Sequence, residues 1–203
     1  VSLLDDGAPH LDLLLPARRL WRRRLQSCRL INLEQRVLGL QRTVDDVPGS
    51  LIPYLYLDYV RTGNAGEMGR VFYHNREDIV SMVSLAQRLI QAYTAPEEAE
   101  TTLEVQGEDW LSLGMGYARR GDLAHAEWAY RHALEVIIDD AARGAAFAAL
   151  ADLLKRQGRW EEACAVWELW LSSVPGVDPT PYIALATCCE WQMQDLEHAV
   201  MRT

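Results

Sequence analysis

The chain has 203 residues, 49% of them hydrophobic and 24% charged, which is typical of a globular protein and excludes a disordered or collagenous one. No apolar run approaches the roughly 18 residues of a membrane-spanning helix, and the opening Val1-Ser-Leu-Leu-Asp-Asp lacks the basic segment of a secretion signal. Residues 1–93 carry a net charge of +2 (12 Arg against 10 Asp and Glu) and residues 94–203 one of −11 (8 against 19), so we expect any contact with nucleic-acid phosphates in the first half.

The first half opens with a predicted strand and a basic helix. The apolar run His10–Leu15, ended by Pro16, is typical of a strand, with Asp12 either in a structural role at the strand end or as a ligand at a functional site. A helix over residues 17–26 places four arginines on one face. These arginines are Arg18, Arg19, Arg22 and Arg23. They are candidates for binding nucleic-acid phosphates. Salt bridges to the acidic second half are an equally good explanation of this arginine cluster.

Three further helices are predicted before residue 94. The first spans Asn32–Gly39, with the asparagine as N-cap and the glycine as stop signal. The second spans Pro53–Gly63 and follows a turn at residues 46–49, in which Asp46 serves as a turn former. The third covers residues 71–93, where apolar residues recur every three or four positions.

Asp78 interrupts the apolar side of that last helix. The apolar stripe consists of Ile79, Met82, Val83, Ala86, Leu89, Ile90 and Tyr93. At about 100° per residue, Asp78 lies on the flank of this stripe, where a carboxylate is costly unless it is paired or binds a metal ion. His74 lies one turn earlier on nearly the same side. Spacing alone allows either an edge aspartate in a capping or salt-bridging role or a functional pair.

The acidic, weakly periodic segment 94–107 predicts a linker, and an internal repeat follows it over residues 108–203. The first copy reads Trp110-x2-Leu113-Gly114-x2-Tyr117, followed by Ala126-x3-Tyr130. This spacing matches the tetratricopeptide pattern, in which two helices cross closely at the small residues and aromatic rings fill the wider gaps. The sequence therefore predicts an all-α tetratricopeptide solenoid.

The later copies of the repeat follow at nearly equal spacings. Ala163 stands 37 residues after Ala126, and Ala199 a further 36 residues on, so the third copy is cut short at Thr203. Gly121 and Gly158 mark the turns within the first two copies. Repeats of this kind bind peptides or other domains along a concave groove.

The ends of the first helices of the repeats carry three candidate peptide-binding residues. By resemblance to other repeats, Arg119, Lys155 and Arg156 face the groove and clamp a peptide carboxylate. A solvated polar face on an intramolecular spacer is the alternative.

Many separate motifs in residues 1–93 resemble one known family. They are His10-x-Asp-Leu, Ala17-Arg-Arg-Leu-Trp, Cys28-Arg-Leu, Asn32-Leu-Glu, Val37-Leu-Gly, Asp45-Asp-Val-Pro-Gly, Ile52-Pro, Arg61-Thr-Gly and His74-Asn-x-x-Asp78. Together they resemble the YprB-type ribonuclease-H-like domain, a branch of the DnaQ-like DEDD 3′–5′ exonucleases that is often followed by tetratricopeptide repeats. The resemblance implies the mostly helical C-terminal part of an α/β ribonuclease-H-like fold, with one or few strands.

The resemblance also implies a two-metal chemistry. In DEDD enzymes four carboxylates hold two Mg²⁺ or Mn²⁺ ions about 4 Å apart, and a His or Tyr near the last Asp acts on the attacking water. Asp78 resembles the last metal ligand and His74 the general base. The spacing departs from the family, because its His form has the His five residues before the Asp, whereas His74 stands four before, in the slot of the Tyr form.

The family's Asp-x-Glu motif and its second Asp are expected upstream of His10, where only nine residues stand. We therefore expect the chain to be a fragment of a metal-dependent 3′–5′ exonuclease, inactive alone and unable to bind the two ions tightly. The alternative is a non-catalytic tetratricopeptide scaffold. Four cysteines without a Cys-x-x-Cys pattern predict small buried side chains in a reducing compartment, so we expect a cytoplasmic protein without membrane contact.

Overall fold

The computed structural model describes residues 11–43, 46–94, 105–176 and 178–191. Helices account for all the regular structure of these residues, and no β-strand occurs among them. The chain divides into two compact units. Unit 1 comprises Val1–Arg18 and Leu25–Leu103, and unit 2 comprises Arg19–Arg24 and Glu104–Thr203. Within the described ranges no helix combines the length and the apolar character that crossing a membrane requires.

The predicted strand over His10–Leu15 is wrong where the structure describes it, from Leu11 onward. Helix α1 spans Leu14–Trp21, and Pro16 lies in its first turn, where the missing backbone N–H is not needed. The N–H of Leu14, the first residue of α1, donates to Oδ1 of Asp12 at 2.8 Å, so this side chain satisfies one backbone N–H group at the helix start. An apolar run of this length suits a strand and a helix equally, and proline chemistry decides for the helix.

Unit 1 continues with short elements and two longer helices. They are α2 (Leu30–Leu33), a π-helical turn (Glu34–Leu38), a 3₁₀ turn (Gly49–Leu51), α3 (Ile52–Thr62) and α4 (Met68–Thr94). The prediction of Asn32 as N-cap is wrong, because α2 already begins at Leu30. The predicted stops are confirmed: Gly39 and Gly63 follow their helices with φ of 66° and 71°, which a glycine adopts without steric cost.

The apolar stripe predicted as the buried face of α4 is mostly exposed. Ile79, Met82, Val83 and Ile90 have between 44% and 66% of their surface exposed. The buried side of α4 passes through Ser81, Leu85, Leu89 and Ala92, of which Leu89 alone belongs to the predicted stripe. His74 and Asp78 extend the same side by two turns toward the helix start. Tertiary packing, rather than the position of most apolar residues, therefore determines which face of α4 is buried. His74 and Asp78 lie on that face.

Unit 2 is a succession of helices joined by short turns. They are α5 (Gly107–Arg119), α6 (Leu123–Val136), α7 (Asp140–Arg156), α8 (Trp160–Ser173) and α9 (Pro179–Trp191). Each packs against the next in the chain. The predicted turns at Gly121 and Gly158 are confirmed, with φ of 79° and 76°. Asp122 and Asp139 cap α6 and α7 by accepting backbone N–H groups three residues ahead.

The close helix crossing predicted in the first repeat is present. A Cβ atom on Gly114 would collide with the ring of Tyr130 and lie 3.2 Å from the carbonyl oxygen of Ala126. Ala126 and its counterpart Ala163 are both fully buried. The tetratricopeptide assignment itself stays a prediction. Ala199 and residues 95–104 of the predicted linker lie outside the described residues.

The buried cysteines that the sequence predicts are confirmed for Cys28, Cys164 and Cys188. The sulfur atoms of Cys164 and Cys188, on α8 and α9, lie 2.6 Å apart. The side chain of Cys189 lies outside the described part of the chain.

Candidate functional site: an arginine-centred cluster in unit 1

His74 and Asp78 lie on successive turns of α4 and face each other. Nε2 of His74 is 3.4 Å from Oδ2 of Asp78. The side chain of His74 is 16% exposed and that of Asp78 33%, so solvent reaches the pair from the Asp78 side. The helical spacing of four residues brings the two predicted site residues together, as an i, i+4 pair requires.

Arg42 lies at the centre of the surrounding cluster. Its Nη2 donates to Oδ1 of Asp78 and to Oε1 of Glu34, both at 2.5 Å. Its Nε donates to Oε2 of Glu34 at 2.8 Å, and its Nη1 to Oδ2 of Asp46 at 3.3 Å. Nη1 also lies 3.2 Å from Nδ1 of His74. Four of the five N–H groups of the guanidinium therefore have a carboxylate oxygen within reach.

Glu34 anchors this arginine from the interior. Its side chain is 1% exposed and holds the guanidinium by two parallel hydrogen bonds, the strongest geometry for such a pair. The hydrogen bond to Glu34 raises the pKa of Arg42 further above its ordinary value, and Asp78 adds to the effect. Arg42 is thus a permanent cation, fixed on its buried side and presented to Asp78 on its open side.

Asp46 holds the other nitrogen of the imidazole. Its Oδ1 is 2.8 Å from Nδ1 of His74. A carboxylate only accepts hydrogen bonds, so this contact requires a proton on Nδ1, and the 3.2 Å approach of Arg42 Nη1 is then no hydrogen bond. Neutral His74 in this tautomer carries its lone pair on Nε2, toward Asp78.

Sequence reasoning found two of these five residues. Glu34 and Arg42 were not identified as site residues, and Asp46 was interpreted only as a turn former. One signal was available: Glu34 follows directly on the apolar run Leu30–Leu33, and a carboxylate in such surroundings needs a cation. No spacing rule pairs it with Arg42, which lies in an irregular segment.

The described donors do not fit two divalent ions. Among the residues that the structure describes, no three His, Cys, Asp or Glu side chains converge to hold a metal. One oxygen of Asp78 is already bound by the guanidinium of Arg42, and the other faces His74. A two-metal centre on Asp78 would need further ligands from outside the described ranges.

The arginines predicted on one helix face are divided by the end of the helix. Arg18 and Arg19 lie in α1, but this helix ends at Trp21, so Arg22 and Arg23 lie in the turn that follows. All four side chains are exposed. The prediction of one continuous helical face over residues 17–26 is therefore wrong.

Arg24, which the sequence does not predict as a site residue, forms an ion pair within unit 2. Nε of Arg24 donates to both carboxylate oxygens of Asp109, at 3.1 and 3.0 Å. Asp109 is buried, and burial raises the pKa of its carboxyl group although Arg24 opposes the shift. Asp109 also belongs to the capping box of α5, so this ion pair holds the start of that helix.

The three predicted peptide-binding residues have different surroundings. Lys155 borders a cavity of about 400 Å³ in unit 2. The cavity is otherwise lined by Trp160, Trp167, Thr180, Ile183, Ala184, Thr187 and Cys188. Arg156 pairs with Asp152 at 2.6 Å, and Arg119 is exposed at the end of α5. Of the three residues, Lys155 thus lines this cavity.

Residues 2–90 match the family model RNase_H_2 of the RNase_H superfamily. Over 177 residues the chain is 28% identical to the Uncharacterized protein YprB of Bacillus subtilis (strain 168), covering 82% of this chain and 40% of the relative. The chain thus spans about two fifths of the length of that curated relative. No solved structure matches it. The first part of the chain, which contains the whole arginine-centred cluster, is therefore similar to the RNase_H superfamily.

Proposed function

We propose that residues 2–90 contribute to a nuclease-like domain of the ribonuclease-H type that hydrolyses phosphodiester bonds of nucleic acid, with His74 and Asp78 at the reacting end. One observation carries the proposal: the imidazole Nε2 and the carboxylate Oδ2 face each other at 3.4 Å on the partly exposed side of α4. The match of this segment to the RNase_H superfamily supports the class of reaction.

In this proposal His74 accepts the proton of the attacking water. Asp46 keeps the proton of the neutral imidazole on Nδ1, which leaves the Nε2 lone pair for a water molecule on the Asp78 side. The water oxygen forms the new bond to phosphorus, its proton passes to Nε2, and the bond to the leaving sugar oxygen breaks, with that oxygen keeping the electron pair and taking a proton from solvent water. Asp78 would contribute one carboxylate to a Mg²⁺ or Mn²⁺ site, whose further ligands would have to come from outside the described residues.

We further propose that Arg18, Arg19, Arg22 and Arg23 bind the phosphates of a 3′-terminal strand. Their exposure and the net charge of +2 over residues 1–93 favour binding of a polyanion. Removal of nucleotides from the 3′ end, as in the exonucleases that this segment resembles, is the expected mode of cleavage.

The experiment that tests this function uses the natural full-length protein beside the 203-residue chain. Both are incubated with end-labelled single-stranded DNA and RNA in Mg²⁺ or Mn²⁺. We expect cleavage by the full-length protein, and a loss of about 100-fold or more in Asp78→Asn and His74→Gln. Asp58→Asn is the matched control, because Asp58 is an exposed aspartate of α3 paired with Arg61. Equal cleavage by Asp58→Asn and Asp78→Asn would contradict the proposal.

A second candidate function is a helical scaffold that binds a protein or peptide through unit 2. The cavity beside Lys155 favours it, because two tryptophans and an ammonium group suit an apolar side chain next to a carboxylate. An acidic peptide library tested against the wild-type chain and Lys155→Glu is the discriminating measurement. Binding that is lost in Lys155→Glu, together with no cleavage by the full-length protein, would favour the scaffold.

A further inference from the structure

The cluster around Arg42 has a buried end and an open end. Glu34 is 1% exposed, Arg42 8% and Asp78 33%, so exposure rises along the chain of contacts that leads from the interior to the proposed reacting pair. Each of these contacts is an ion pair or a hydrogen bond of a charged group. Glu34 and Asp78 both accept a hydrogen bond from the same atom, Nη2 of Arg42. The buried carboxylate of Glu34 thus fixes the position of Nη2.

A fixed Nη2 restricts the carboxylate of Asp78. Oδ1 is bound at 2.5 Å, so rotation of the carboxylate about its Cβ–Cγ bond is limited. The second oxygen is thereby directed toward Nε2 of His74 at 3.4 Å. Through Nη1 the same guanidinium donates to Asp46, which holds Nδ1 of the imidazole. One guanidinium therefore orients the carboxylate and the imidazole together.

We infer that Glu34 and Arg42 are positioning residues, which fix the carboxylate of Asp78 and, through Asp46, the ring of His74 in the geometry needed for the reaction. This inference rests on the proposed function. Lysine cannot replace Arg42 in this role, because a single ammonium group cannot bridge Glu34, Asp46 and Asp78 with the planar fork of a guanidinium.

The first arm of the test observes Arg42 directly, without any activity. In the 203-residue chain, ¹⁵N NMR of arginine side chains records the Nη–H groups, with the Arg42 signals assigned by their absence in Arg42→Lys. We expect slow rotation of the guanidinium and slow exchange with water in the wild type. Asp78→Ala, which removes one acceptor of Nη2 and leaves the pair with Glu34, should accelerate the exchange of that group about 10-fold. Unchanged exchange would overturn the inference.

The second arm measures cleavage by the natural full-length protein. Loss of an orienting partner of this kind costs about 10- to 100-fold in activity, and we expect this loss in kcat for Glu34→Gln and Arg42→Lys, with KM nearly unchanged. Glu67→Gln and Arg61→Lys are matched controls, since both residues form exposed ion pairs in unit 1. Wild-type kcat in Arg42→Lys would overturn the inference, because positive charge alone would then suffice.

The two arms separate this inference from the proposed function. No cleavage by the wild-type full-length protein overturns the proposed function, whereas the NMR arm still decides whether Arg42 holds Asp78. Arg42→Lys leaves Glu34 buried beside a poorer partner, so circular dichroism is measured first. If Arg42→Lys is unfolded, Asp78→Ala is used for the NMR measurement and Glu34→Gln for the cleavage measurement. The inference is overturned if neither variant changes its readout.

Discussion

Oδ1 of Asp46 lies 2.8 Å from Nδ1 of His74, although 28 residues separate the two along the chain. The aspartate lies in an irregular segment and the histidine on a long helix, so the contact joins two parts of unit 1. This pairing gives the imidazole a defined tautomer, which α4 by itself cannot supply.

Asp46→Asn should disturb that tautomer. An asparagine amide can present its NH₂ group to Nδ1, which then accepts, so the ring proton moves to Nε2 and the lone pair no longer faces Asp78. We expect the Nδ1–H signal of His74 in ¹⁵N NMR to disappear and cleavage by the full-length protein to fall about 10- to 100-fold. Asp58→Asn is the control. A persistent Nδ1–H signal in Asp46→Asn would contradict the assignment.

Two of the exposed arginines can be tested by charge reversal. If they bind phosphates, Arg18→Glu with Arg22→Glu should weaken binding to single-stranded nucleic acid and reduce the slope of log K against log salt by about 0.7 per lost contact. Fluorescence anisotropy over a salt series gives this slope. The control is Arg156→Glu, an exposed arginine of the acidic second half. An unchanged slope in the double variant would instead favour pairing of these arginines with acidic protein surface.

Gly114→Ala should destabilise unit 2. The new methyl group would collide with the ring of Tyr130, and overpacking of this kind costs about 1–3 kcal/mol. Gly69→Ala is the matched control, because Gly69 lies in α4 with no atom within 4 Å of the added Cβ, and alanine there should be neutral or stabilising by up to about 1 kcal/mol. Urea unfolding with hydrogen exchange of the α5 amides measures both. Equal stability of the two variants would refute the close crossing.

The stability of unit 2 should depend on the ionisation of Glu127. The hydrogen bond from Arg159, at 2.5 Å, and that from Arg131 lower the pKa of this carboxyl group below its ordinary value of about 4.5. Above pH 4.5 the stabilisation is complete, and it is lost as the pH falls through the lower, folded-state pKa, because the unfolded chain binds the proton first.

Glu127→Gln should therefore lower the free energy of unfolding by up to about 1 kcal/mol at pH 7, since the pair is only partly shielded from water. The difference from the wild type should shrink as the pH falls below about 4.5, toward the lowered pKa of Glu127. Glu135→Gln, an exposed glutamate of the same helix, serves as the control. A difference that stays constant over this pH range would contradict the ion pair.

Local sequence rules predicted the helices of unit 2 and their turns well. Gly121 and Gly158 adopt the positive φ that their positions require, and Ala126 and Ala163 are buried at a spacing of 37 residues. Each of these features depends on neighbours in the chain or in the next helix. The same rules failed at Leu11–Leu15, because a short apolar run has no period long enough to distinguish a strand from a helix.

The proposed site shows the limit of such rules. The sequence by itself determined that His74 and Asp78 are neighbours, since four residues on a helix correspond to about one turn. Only the tertiary structure decided which side of α4 is buried, and only it brought Glu34, Arg42 and Asp46 to this pair across 28 to 44 residues of chain. The physical reason is that a buried charge needs a partner of opposite sign wherever the fold provides one, and the chain position of that partner follows no period.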